Sequence, residues 1–86
     1  MQRTEKKVCS NVVLDGKTAA KFVQNANQLI SVIHLEQANR KVNAKSLFGV
    51  LVMEIKKGTE LTITAEGVDS EKAVLSLQNF LTGISN

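Results

Sequence analysis

Four side chains hold most of the chemical potential of this sequence: Cys9, Asp15, His34 and Ser46. Zinc and other transition-metal sites gather several His, Cys or carboxylate ligands within reach of one another. A single His and a single Cys make no such cluster, so no metal or cofactor is expected. A Ser-His-Asp triad is recognised by its geometry, and the mere presence of those residue types carries no weight. Gly16, Gly49, Gly58, Gly67 and Gly83 stand singly and form no phosphate-cradling loop. The chain is therefore read as a non-enzyme, and its chemistry narrows to Asp15 and Ser46. Both fall where helices should begin, and free N–H groups and the helix dipole there favour a carboxylate, a hydroxyl or a phosphate. Capping alone explains both residues.

Ser46 has the more distinctive setting. The basic, extended run Lys41-Val42-Asn43-Ala44-Lys45 leads into it, and Leu47-Phe48-Gly49-Val50-Leu51 follows. A short helix that begins with Leu47 and Phe48 has difficulty burying both. A polar residue at the edge of such an apolar patch suits a docking surface, whereas the plainer reading is a capped core helix.

These residues need elements to position them. Apolar residues at Ala19, Phe22, Val23, Ala26 and Ile30 have helical spacing and predict a helix over Gly16–Asn27, with Asp15 as its N-cap. Gln2–Asn11 is polar around Val8 and reads as an edge strand, where charges discourage aggregation. Val12-Val13-Leu14 then returns the chain to the core. Ser31–Glu36 alternates, with Ile33 and Leu35 on one face and Val32 and His34 on the other. Gln37–Arg40 is a turn in which Asn39 takes the left-handed conformation, and Lys41–Asn43 is the return strand.

The helix from Ser46 should stop before Lys57-Gly58. Glu60–Glu66 alternates with Leu61, Ile63 and Ala65 inward and Thr62 and Thr64 outward. Asp69 or Ser70 caps a last helix striped by Ala73, Val74, Leu77, Leu81 and Ile84, with Phe80 beside the stripe. The order β-α-β-β-α-β-α predicts an α+β, two-layer open-faced β-sandwich in one domain, residues 1–86: a four-stranded, mainly antiparallel sheet covered by three helices.

Composition narrows the function classes. The net charge of +3 is mild and its 11 basic residues are spread along the chain, which favours acidic or phosphorylated partners only weakly. The same element order suits sheet-based RNA-binding modules, whose outer sheet face carries stacking aromatics. The three Phe residues fall in helices instead, so direct nucleic-acid binding is not expected. The longest run free of polar side chains, Leu47–Met53, is far short of the roughly 20 residues that span a bilayer. With one Cys and no apolar leader, the chain is expected to be cytoplasmic, without membrane attachment.

The residues themselves resemble the HPr family, phosphocarriers of the bacterial sugar phosphotransferase system. Lys41–Ser46 is similar to the family's segment before its regulatory serine, and Leu47–Leu51 to its aliphatic helix. Ala19, Phe22, Val23 and Gln24 match the first helix, and Lys57-Gly58-Thr59-Glu60 the turn into the last strand. The resemblance covers essentially the whole chain without gaps. It fails at one place. Where the family has its phosphoryl-accepting histidine followed by arginine and proline, this chain has Asp15, Lys17 and Thr18. His34 lies elsewhere and cannot substitute, so ordinary phosphorelay is not expected.

In pattern the chain is most similar to the Crh-type regulators, which lack the histidine and keep the serine, although those carry glutamine where Asp15 stands. The resemblance implies phosphorylation of Ser46 by an HPr kinase/phosphorylase and binding to a LacI-type catabolite control regulator. It places partner contacts at Asp15, Lys17, Ala20, Lys21, Ser46, Leu47, Phe48 and Leu51. The alternative is a phosphocarrier variant that forms an acyl phosphate on Asp15. A monomer is expected, with strand exchange through the poorly patterned first strand as the other arrangement.

Overall fold

The computed structural model describes residues 2–83. Its elements are β1 (Arg3–Cys9), α1 (Gly16–Asn27), β2 (Val32–Gln37), β3 (Arg40–Asn43), α2 (Leu47–Val52), β4 (Glu60–Glu66) and α3 (Ser70–Thr82). The sheet order is β1-β4-β2-β3, and each neighbouring pair is antiparallel. β4 is thus inserted between the two strands that α1 connects, a split β-α-β arrangement.

Alternation along the strands separates the two faces. Val8, Leu61, Ile63, Ala65, Ile33 and Leu35 point into the core, where they meet Phe22 and Ala26 of α1 and Leu77 and Leu81 of α3. Phe22 and Phe80 pack edge to face with ring centroids 5.4 Å apart, which joins α1 to α3. Among the described residues no helix covers the opposite face of the sheet, where Lys7, Thr62 and Glu36 stand side by side.

The sequence-based expectations hold for element order and for the bounds of α1, and the structure corrects or sharpens them at several residues. Ile30 is not part of the apolar stripe: α1 ends at Asn27, and Ile30 is 75% exposed in the loop that follows. Of Val12-Val13-Leu14, only Leu14 is fully buried, and Val13 is exposed. The hairpin residue with positive φ is Ala38 (φ 51°), not Asn39. A positive φ at the first of two turn residues lets the turn follow the twist of the flanking strands.

α2 stops at Val52, well before Lys57-Gly58, because Glu54 takes a left-handed φ of 50° and turns the chain so that Ile55 can be buried. Thr64 lies on the outer face as its alternation requires, yet it is only 3% exposed. It sits on a central strand between Glu5 and His34, and its hydroxyl finds no partner among the described residues. Asp69 occupies the N-cap position of α3 without capping it. Ile84 lies outside the described residues.

Asp69 instead clasps the loop between α1 and β2. Its carboxylate accepts from the N–H of Ile30 (2.8 Å), the N–H of Ser31 (2.9 Å) and the hydroxyl of the fully buried Ser31. Ser31 also presses on Gly67, where φ is 151° and an added Cβ would stand 2.6 Å from the Ser31 Oγ. Only glycine fits that junction.

Candidate functional site

Ser46 ends an extended segment and begins α2. Its own φ and ψ are extended (−105°, 117°), and its Oγ accepts the Gly49 N–H at 3.2 Å. That is the geometry of a helix N-cap. The residues before it are held from three sides. Ala44 is fully buried and its N–H bonds the Ile33 carbonyl at 2.9 Å. The Asn43 side chain accepts from the Lys45 N–H at 2.8 Å, and its carbonyl accepts from the Ser46 N–H at 3.0 Å. The Lys45 ammonium turns away from Ser46 to donate to the Leu29 carbonyl at 2.7 Å.

Past Ser46 the helix buries Val50 completely and leaves Leu51 half-buried against the core. Phe48 is 79% exposed and Val52 59%, and Leu47 is also exposed. A six-residue helix has too few positions to turn five large apolar side chains inward, so an apolar face is left uncovered beside the Ser46 hydroxyl. Sequence reasoning named Leu47, Phe48 and Leu51 and missed Val52, whose exposure follows from the early end of the helix.

Asp15 is the N-cap of α1: its Oδ1 accepts the Thr18 N–H at 2.9 Å. That bond holds its carboxyl below the usual aspartate range, and the nearby Lys17 acts in the same direction. Lys17 and Lys21 are exposed on α1, and Ala20 is half-buried.

Asp15 and Ser46 do not come together. The Asn27 amide at the end of α1 donates to the Lys45 carbonyl just before α2 (3.3 Å), while the Leu14 N–H before α1 bonds the Ile55 carbonyl after α2 (2.9 Å). The two helices therefore run antiparallel, and α1 alone separates its ends by roughly 18 Å at the rise of an α-helix. Of the expected contact residues, Asp15 and Ser46 thus mark opposite ends of one helical pair.

Among the described residues no three of His, Cys, Asp or Glu converge to hold a metal. His34 is half-buried on the outer face of the sheet, and Cys9 is exposed and free. A groove of about 420 Å3 on that face is lined by Lys7, Cys9, Glu36, Gln37, Glu60 and Thr62, with neither Asp15 nor Ser46 in it. No described helix is long and apolar enough to cross a membrane.

Comparison with known proteins gives a consistent result. The family model described as the PTS HPr component phosphorylation site matches residues 3–83. The HPr-like protein Crh of Bacillus subtilis (strain 168) is 40% identical over 68 residues, which is 79% of this chain and 80% of that protein. The crystal structure of the phosphocarrier protein HPr from Bacillus anthracis str. Ames is similar with a TM-score of 0.89 and 34% identity, covering 95% of this chain and all of that one. A crystal structure of B. subtilis Crh, described as a dimer with a swapping domain, has a TM-score of 0.79 and 32% identity over the whole of this chain and 97% of that one.

Proposed function

The chain belongs to the HPr family, and we propose that within it this protein is a noncatalytic regulator of carbon catabolite repression, switched by phosphorylation at Ser46. The observation that carries the reading is the apolar face left exposed beside one of the two helix starts, that of α2. Asp15 stands where the family has its phosphoryl-accepting histidine, and its carboxylate is engaged as a cap. Ser46, half-buried and likewise engaged as a cap, stands beside the exposed apolar face of Leu47, Phe48 and Val52.

In the proposed reaction the Ser46 Oγ attacks the terminal phosphorus of ATP bound to an HPr kinase/phosphorylase. The bond to the β-phosphate oxygen breaks, ADP leaves, and the hydroxyl proton passes to a base on the kinase. The product gains about −1.5 to −2 charges and three acceptor oxygens. A LacI-type regulator that presents Arg or Lys to the phosphate and an apolar pocket to Phe48 would bind the modified form, the charge selecting it and the buried area holding it. Lys17, Ala20 and Lys21 extend that surface along α1.

The protein acts in the cytoplasm in this reading. It also has access to a strand-exchanged dimer, supported by the swapping-domain dimer of the related Crh structure and by the position of β1 at the sheet edge.

Incubation with HPr kinase/phosphorylase and ATP, followed by intact mass spectrometry, tests the switch. A gain of one phosphate that disappears in Ser46→Ala is expected. No gain in the wild-type chain would overturn it.

A further inference from the structure

The segment that presents Ser46 is fastened to the end of α1 by a reciprocal pair of bonds. Lys45 reaches across to the Leu29 carbonyl (2.7 Å), and Asn27 reaches back to the Lys45 carbonyl (3.3 Å). The Asn27 amide is itself steadied by the Val23 carbonyl one helical turn earlier, at 2.9 Å. Neither side chain touches the Ser46 hydroxyl. Asn27 bonds the peptide carbonyl immediately before Ser46, and Lys45 ties the residue that carries that carbonyl to the loop after α1.

From this geometry we propose that Lys45 and Asn27 are positioning residues for phosphorylation of Ser46, a role that rests on the reading of Ser46 given above. Phosphoryl transfer depends on alignment of the attacking oxygen with the phosphorus, and small displacements are costly in rate. Ser46 belongs to a six-residue helix, too short to hold its own first turn in water. Its orientation is therefore supplied from outside. Asn43 and Ala44 fix the approach from the sheet side, and the Lys45–Leu29 and Asn27–Lys45 bonds fix it from the α1 side.

An ammonium committed to a backbone carbonyl is also less free to act as a docking charge for the kinase. The loss of Lys45 should accordingly appear in turnover more than in binding. The same bonds couple the modification site to α1, the other helix of the proposed docking face, so loosening at one is felt at the other.

The full-length chain and four variants would be compared in two measurements: steady-state phosphorylation by HPr kinase/phosphorylase with ATP, and amide hydrogen exchange at Gly49, whose N–H reports the Ser46 cap. Lys45→Met keeps the aliphatic stem and removes the donor, and Lys45→Arg restores a donor. Asn27→Ala removes the amide while raising helix propensity, so a loss of activity is not a loss of folding. The double variant Lys45→Met/Asn27→Ala completes a cycle.

Each single variant is expected to lower kcat about fivefold, the worth of one net hydrogen bond, with KM little changed, and to speed Gly49 exchange by a similar factor. Lys45→Arg should recover most of the rate, and the double variant should fall short of the product of the two singles. Unchanged exchange in both single variants, an effect confined to KM, or multiplicative losses in the double variant would each overturn the proposal. If the wild-type chain accepts no phosphate while the variants still loosen Gly49, the Ser46 reading fails and the positioning role falls with it. Wild-type phosphorylation at a rate that none of the variants alters would remove only the positioning role.

Discussion

Ser46 and Asp69 show how a residue at a helix N-cap position answers to its surroundings. Either position could be read as a helix cap, and only Ser46 behaves as one. The Asp69 carboxylate is spent on Ser31 and Ile30, and those bonds, the Ser31 hydroxyl first, hold it below the ordinary aspartate range. Asp15 is shifted the same way by the Thr18 N–H. A carboxyl depressed in the folded state binds fewer protons there than in the unfolded chain. Its contribution is complete above the unfolded value and is lost as pH falls through the folded one. Stability against urea should therefore decline as pH is lowered below about 4, where free aspartates protonate. Asp69→Asn should lower stability at neutral pH and flatten part of that decline, with Asp15 supplying the remainder. A variant whose pH profile runs parallel to the wild type would count against the clasp.

The elements differ in how plainly the sequence announced them. The bounds of α1 and β4 were legible to the residue, because helical spacing and strict alternation mark them, although the stripe also took in Ile30, which lies exposed beyond the helix. α2 was legible at its start, where Ser46 caps it, and not at its end. Nothing local marks Glu54 for a left-handed conformation; the turn is imposed by the gain from burying Ile55. The same is true of the candidate site. Ser46 and its apolar neighbours could be read along the chain, whereas the Lys45–Leu29 and Asn27–Lys45 bonds join segments whose approach is set by helix packing.

The junction between β4 and α3 gives a prediction at this level. Gly67→Ala places a Cβ against both Oγ and the backbone of Ser31, at a φ that side chains rarely adopt. The variant should lose about 3 kcal/mol in chemical denaturation, the upper range for overpacking and strain.

Across the whole molecule two of the three strand pairings, β1–β4 and β2–β4, join distant parts of the chain, and β1 is joined along one side only, to β4. Exchange of β1 between two copies would preserve every register pair from Arg3↔Glu66 to Cys9↔Glu60. Size-exclusion chromatography with light scattering over a concentration series should then show a slowly interconverting dimer, and a monomer at every concentration would refute the exchange. A different consequence lies at two bends away from the β1 edge. Ala38 (φ 51°) and Glu54 (φ 50°) each occupy a conformation that glycine adopts at less cost. Ala38→Gly and Glu54→Gly should each raise the unfolding free energy by about 0.5–1 kcal/mol, read from the denaturation midpoint. The protein thus holds unused thermal headroom in its turns, open to adjustment without altering a single atom of Ser46, Phe48 or the residues that present them.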